Sequence, residues 1–396
     1  MHMTRIPDYV GVSALGIKMG VIVPGSDILQ LAYNALAKCH ADNLLDSGDT
    51  VCITESVVAR AQGNYVTTNT IARELSELLN LQPNGRLGAL FPILSRNRFS
   101  LILKAFAMAV PEGEVVVQLS YPTDEVGNQL MPVEMVEKLG KDAEKDIIYP
   151  EELGEPRPRH PITGVDYIEL YEDIIRQQGC KPTIIISNDP LAIVNYKLDG
   201  VVVASVHNRD SMLSKLKNAG QKAITLQEVC SSNTQTAWSE WGLLGSNMSS
   251  DDKLKLAPRE ANDLAVALQE KVATDLGKDI EVLVYGDGAY HDPSTGIYEL
   301  YDPQPVFGMT QGLVGKYRRG LKYKYLVDKM WYKGSKIAEI ESTLIAKQKM
   351  QGNRDNMETE GTCPYKVEDL IATLADLISG SADAGTPMVL VKNFKM

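Results

Sequence analysis

Apolar residues recur along this chain in two rhythms. In residues 27–39 they fall at Ile28, Leu29, Leu31, Ala32 and Leu36, which lie on one face of a helix, and Ser26 or Asp27 stands at its N-cap. The same spacing predicts helices over 71–79, 100–109, 167–178, 211–219, 259–276 and 367–378. Short β-branched runs bounded by turn residues predict strands at 50–54, 115–119, 182–187, 201–205, 282–285 and 387–392. Pro83-Asn84-Gly85 closes one helix and Gly220 caps another. Strand and helix alternate without an internal repeat, which predicts a mixed α/β protein with some parallel pairing. Residues 151–161 are charged and rich in proline, so they read as a linker or exposed loop. Residues 238–252 are rich in Ser, Gly and Asn and read as a mobile loop.

Composition narrows the function. The chain has 396 residues, enough for about two to three domains. Its 44% hydrophobic content supports proper cores. A net charge of −11 argues against a nucleic-acid partner, since a phosphate backbone demands clustered Lys and Arg. No apolar run reaches the ~18 residues of a membrane span, and Met1 to Arg5 lead into no signal-peptide segment. Cys39, Cys52, Cys180, Cys230 and Cys363 are scattered, as are the five histidines. Reduced thiols, no zinc site and a soluble cytoplasmic protein are the expectation.

Six segments carry candidate chemistry. The strand 282–285 stops in Gly286-Asp287-Gly288, with Asp292 just beyond. A carboxylate at a strand's carboxyl tip, flanked by glycines, suits a phosphate and its Mg²⁺ or Mn²⁺; a structural Asp in a tight turn is the alternative. Tyr121 to Asn128 follows the strand 115–119 and offers Asp124, Glu125 and Asn128, either hard oxygen ligands or turn caps. Arg96 and Arg98 stand one residue apart, as guanidinium forks for carboxylate or phosphate or as a solvated surface. Gly16-Ile17-Lys18, and Glu55-Ser56 with Arg60 after the strand 50–54, would serve a nucleotide or form surface turns. The basic aromatic run from Lys316 to Tyr325 suits an anionic small molecule, a dimer contact or a solvated helix. Neither a P-loop nor a nucleophile elbow is present.

Several patches, taken in order, resemble the coenzyme F-420-0:L-glutamate ligase family. They are Gly11 to Lys18 with Pro24-Gly25-Ser26-Asp27, Gly48-Asp49, Glu55 to Gly63, Phe91-Pro92, Asp124 to Asn128, Gly286-Asp287-Gly288, and Leu377 to Val391. The resemblance implies a mixed α/β (α+β), two-lobed fold. Ligase-like parts would lie at 1–150 and 281–396, with an additional α/β insertion at 151–280. It implies a GTP- or ATP-dependent γ-glutamyl ligase using Mg²⁺ or Mn²⁺, acting on L-glutamate and a carboxylate-bearing small-molecule acceptor, as a homodimer. Its metal aspartates fall on Asp124 and Asp287, with Glu125 and Asp292 as secondary candidates. Gly16, Lys18, Ser56, Arg60, Asn128, Gly380 and Ser381 fall on nucleotide-side segments, and Ser381 stands where the family carries a metal-side glutamate. Arg96 and Arg98 would hold carboxylate or phosphate, and Glu55 is the candidate general base. The alternatives are a folate or other metabolite ligase, a non-catalytic nucleotide-binding paralogue, and a metal-dependent phosphohydrolase.

Overall fold

The computed structural model describes residues 9–142, 144–298, 300–349, 356–361, 363–380 and 385–394. Its elements begin β1 (Ser13–Ile17), α1 (Ile28–Ala41), β2 (Thr50–Thr54), α2 (Glu55–Ala61), β3 (Tyr65–Thr67), α3 (Thr68–Leu79), β4 (Arg86–Leu90), α4 (Arg96–Ala109), β5 (Glu114–Leu119) and α5 (Val133–Leu139). There follow α6 (Tyr167–Arg176), β6 (Lys181–Ile186), β7 (Gly200–Val203), α7 (Arg209–Asn218), β8 (Ala223–Thr225), β9 (Asn247–Ser250), β10 (Lys253–Lys255) and α8 (Ala261–Leu276). The last part holds β11 (Glu281–Tyr285), β12 (Val306–Met309), β13 (Tyr317–Arg318), α9 (Tyr323–Trp331), α10 (Ile337–Lys349), β14 (Tyr365–Lys366), α11 (Val367–Ala375) and β15 (Met388–Lys392).

The first large sheet has the order β1-β15-β2-β11-β12, in which only β2 and β11 pair in parallel. Its strands are apolar on both faces because helices cover both. Val51, Ile53, Val282, Val284 and Leu390 face α1 and α8, while Cys52, Leu283, Tyr285 and Val389 face α11. The alternation within each strand follows the two-residue pleat. Of the two expected caps for α1, Asp27 is the one used, accepting from the Gln30 N–H at 2.9 Å.

The second sheet, β6-β5-β4-β7-β8, is parallel throughout. Relative to chain order its strands run third, second, first, fourth, fifth, so the winding direction reverses between β4 and β7. Such a reversal opens a crevice at the carboxyl ends of the two strands. Helices α3, α4 and α6 pack on one face and α7 on the other. Strand β5 is buried along its whole length, as a doubly covered parallel strand must be.

This sheet straddles the composition change near residue 150, since β4 and β5 precede it and β6 to β8 follow. Helix α8, within the same 151–280 stretch, packs instead on the first sheet against α1 and β11. The stretch 238–252 is not the loose loop its composition predicts. Leu243 and Leu244 are core residues, and the Asn64 amide ties down the backbone at Trp238 and Ala257. Strands β9 and β10 then pair and join β3, burying Leu254.

The carboxyl ends of the two sheets face one another. The loop after β5 lies on the loop after β11: the Tyr298 N–H donates to Val126 O at 2.8 Å, and a Cβ at Gly127 would stand 2.2 Å from Gly296 O. His207, beyond β7, reaches Leu300 O at 2.8 Å.

Candidate functional site

Charged side chains converge where these strand tips meet. β2 delivers Glu55, β11 delivers Asp287, and β4 leads through Ser95 into α4, which presents Arg98 in its first turn. Arg98 spans the two sheets: one guanidinium nitrogen lies 2.9 Å from Asp287 Oδ2 and the other 2.8 Å from Asp302 Oδ1. Its Cζ stands 5.7 Å from the centre of the Tyr301 ring. Burial disfavours the guanidinium charge, but Asp302, Asp287 and Glu55 outweigh burial and hold it protonated.

Glu55 is buried and accepts both contacts of Lys255 Nζ, at 2.9 and 2.7 Å. Burial pushes its carboxyl above the usual range, and Lys255 opposes the shift. Asp376, at the end of α11, accepts the Gly288 N–H at 3.0 Å. Among the described residues, the carboxyl groups of Glu55, Asp287, Asp302 and Asp376 gather near Arg98 and Lys255. The crowding shows at Asp287, whose pKa is pushed up to about 7 by burial first and by the charge of Asp302 next. Asp287 Oδ2 takes Arg98 and the Tyr301 N–H, the latter at 3.1 Å. Among the described residues no hydrogen bond reaches Oδ1, and 27% of the side chain is exposed.

The glycines beside Asp287 are steric requirements. A Cβ on Gly286 would stand 2.4 Å from Asp302 Oδ2 and 2.5 Å from the Phe307 ring. One on Gly288 would stand 3.1 Å from Asp376 Oδ2.

Asp124 and Asp287, expected to share one cationic centre, each take their own set of partners in this structure. Asp124 Oδ1 accepts from the Val126 and Asn128 N–H groups at 3.0 and 2.9 Å; Oδ2 accepts from Leu94 N–H and Asn128 Nδ2, both at 2.8 Å. Four donors fill its four acceptor positions in this structure. Burial still pushes its pKa up to about 6. Glu125 is occupied too, by the Ser205 hydroxyl and the N–H groups of Val206 and His207, so it fastens the β5 loop to the β7 loop. Asp292 accepts from the Ser294 N–H within its own turn, the structural alternative for such a residue.

The remaining candidates divide. Asn128 reaches the site indirectly, bonding Asp124 and the hydroxyl of Tyr301. Arg96 is exposed two positions before Arg98, and Lys18 just past β1 and Ser56 and Arg60 on α2 are exposed too. Gly16 is in β1 against Thr386, where a Cβ would stand 2.6 Å from the hydroxyl. Gly380 ends the helical turn after α11, and Ser381 lies outside the described residues. Lys255, Tyr301, Asp302 and Asp376 were missed. A signal existed for Asp376, a carboxylate on a helix otherwise apolar at 367, 371, 372 and 375. Lys255 and Asp302 carry none, since their partners are 200 and 204 residues away.

Metal fit is limited. Among the described residues no three His, Cys, Asp or Glu side chains are placed to hold one ion. Among the described residues, Asp287 Oδ1 is an open carboxylate oxygen beside other carboxylates. Mg²⁺ is commonly held by one or two carboxylates together with substrate phosphates and water, so Asp287 fits an ion that arrives on a nucleotide.

No helix among the described residues is long and apolar enough to cross a membrane. No curated protein matches the chain. Among solved structures, that of E. coli tRNA N6-threonylcarbamoyladenosine dehydratase, TcdA, is similar over 58% of this chain and 77% of its own, at 12% identity and a TM-score of 0.24. The family model described as F420-0:Gamma-glutamyl ligase matches residues 16–393, a span that includes both sheets but for the start of β1, and every member of the charged cluster. By that match the chain belongs to the F420-0:gamma-glutamyl ligase family.

Proposed function

We propose that the protein joins L-glutamate to a carboxylate-bearing acceptor by activating that carboxylate with GTP or ATP. An acceptor carboxylate oxygen attacks the γ-phosphorus, the bond to the β-phosphate breaks, and an acyl phosphate forms with release of the nucleoside diphosphate. The amine of glutamate then attacks the acyl carbon, the new C–N bond forms, phosphate leaves, and the amine gives up a proton. Both steps bring anions together, so positioning and fixed positive charge supply most of the catalysis.

The observation that carries this reading is Arg98, a guanidinium held between two sheets beside the open oxygen of Asp287. Arg98 meets the anionic groups of acceptor and nucleotide, and Asp287 faces them through Oδ1. A divalent ion brought by the nucleotide would rest on that oxygen and neutralise phosphoryl charge. Glu55 suits a proton acceptor less than the sequence suggests, because Lys255 occupies both its oxygens. Lys18, Ser56 and Arg60 remain assigned to the nucleotide by resemblance. The same resemblance gives a homodimer, which light scattering checks.

The test is to incubate the protein with GTP or ATP, Mg²⁺ or Mn²⁺, glutamate, and acceptors including coenzyme F-420-0 and a folate. The expected result is phosphate release that depends on glutamate, with a mass gain of one glutamyl unit on an acceptor. Phosphate release indifferent to any amine would point to a phosphohydrolase. Nucleotide binding with no product across the panel would point to a non-catalytic paralogue.

A further inference from the structure

Asp302 stands outside every segment that sequence patterning or family resemblance singles out, yet it joins the two halves of the site. Its side chain is 1% exposed. Oδ1 lies 2.8 Å from Arg98, on the helix α4 that packs on the second sheet, and Oδ2 accepts the N–H of Asp287, just past β11 of the first sheet, at 2.9 Å. Two glycines clear its space: a Cβ on Gly286 would come within 2.4 Å of Oδ2, and one on Gly245 within 3.3 Å of Oδ1. A ring of contacts results. Asp302 holds the Asp287 backbone and one end of the guanidinium, while the other end of the guanidinium holds the Asp287 carboxylate. Tyr301, the preceding residue, adds its N–H to the same carboxylate oxygen. Asp287 is thereby fixed through its backbone and Oδ2, and only Oδ1 is left to face a ligand.

We propose that Asp302 is a positioning residue of the ligase site, setting the placement of Arg98 and the direction of Asp287 Oδ1 without touching substrate. The inference rests on the ligase reading for its consequence in turnover, but its geometric content stands apart from that reading. An asparagine at 302 cannot close the ring. Its amide must turn an N–H toward either Arg98 or the Asp287 N–H, and two donors then face each other.

The test uses the full chain and two readouts. First, phenylglyoxal labelling followed by peptide mass spectrometry reports the reactivity of Arg98, with exposed Arg96 as internal reference. Asp302→Asn, labelled well below its own thermal midpoint, should make Arg98 several-fold more reactive while Arg96 keeps its native reactivity. Second, kcat should fall by roughly 100-fold with a smaller change in KM, as expected when reacting groups are misplaced by about an ångström. Combined with Arg98→Lys, it should add little further loss, because both break the same ring. Asp302→Glu keeps the charge but shifts the carboxylate by one methylene, and should act in the same sense if Asp302→Asn does not fold. Protection of Arg98 at the native level in both variants, or kinetic losses that multiply with those of Arg98→Lys, overturns the proposal. Labelling needs no substrate, so it decides the geometry even if the ligase assay finds no product.

Discussion

Replacing Lys255 with methionine tests the electrostatics of the junction most directly. Lys255 and Glu55 are each 7% exposed at the side chain, and the ammonium contacts both carboxylate oxygens. Methionine roughly preserves the volume of the aliphatic stem but leaves Glu55 as a buried carboxylate already repelled by Asp302. Breaking one partner of such a pair costs about 3–5 kcal/mol, whereas replacing both with apolar residues is close to neutral. Lys255→Met should therefore destabilise by several kcal/mol, and adding Glu55→Leu should recover most of the loss. The pH dependence has a defined sign. Burial already raises the folded-state pKa of Glu55 above its ordinary 4.5, and loss of Lys255 raises it further. A group shifted upward contributes full stability below its unfolded pKa and loses it as pH rises through the folded value. The deficit of Lys255→Met should consequently be larger near pH 8 than near pH 5. Urea unfolding followed by tryptophan fluorescence measures it. A deficit below about 1 kcal/mol, the range of exposed pairs, or one that does not vary with pH, refutes the reasoning.

The proposed site makes further claims. Arg98→Ala should lower kcat/KM by about 10²–10³-fold, the scale for losing a preorganised charge, while Arg96→Ala, two positions away and exposed, leaves it near the native value. Gly286→Ala should cost about 1–3 kcal/mol in denaturant unfolding by driving a methyl into Asp302 and Phe307, and should depress turnover with it. Asp124→Asn replaces an acceptor of four N–H groups with an amide, so it should destabilise by about 1–3 kcal/mol. Calorimetry should show it leaving Mn²⁺–nucleotide affinity unchanged where Asp287→Asn weakens it. Asp292→Ala should stay within about 0.5 kcal/mol of native stability, since the contacts it breaks, to Ser294 and Thr295, lie within one exposed turn.

The elements were largely legible because each is a local pattern. The 27–39 helix, the strands at 50–54, 115–119 and 282–285, and the 259–276 helix all appear with ends shifted by a few residues. What did not show was which strands share a sheet. Nothing in the sequence tells that β4 and β5 pair with strands beyond residue 150, because a parallel sheet requires only that each strand be apolar, and all of them are. The turn-rich composition of 238–252 misled for a related reason. Ser, Gly and Asn report exposed backbone on average, yet here Asn64, some 174 residues upstream, satisfies the Trp238 backbone and makes the segment ordered.

Asp124 and Asp287 show why half the site was readable. Both are aspartates in glycine-containing turns just past a buried strand, and sequence assigns them the same two possibilities, ligand or turn cap. The difference lies in the backbone after each. Beyond Asp124 the chain curls so that Val126 and Asn128 return their N–H groups to the carboxylate, and Leu94 adds a third. Beyond Asp287 the chain leads away toward Asp376, and the N–H of Gly288 is spent there. Asp287 is left to bind through space, with Arg98 and Tyr301 on one oxygen and nothing from the described chain on the other. A functional carboxylate in such a turn is the one its own loop has not satisfied, and that property belongs to the path of the backbone more than to the residue or its neighbours in sequence.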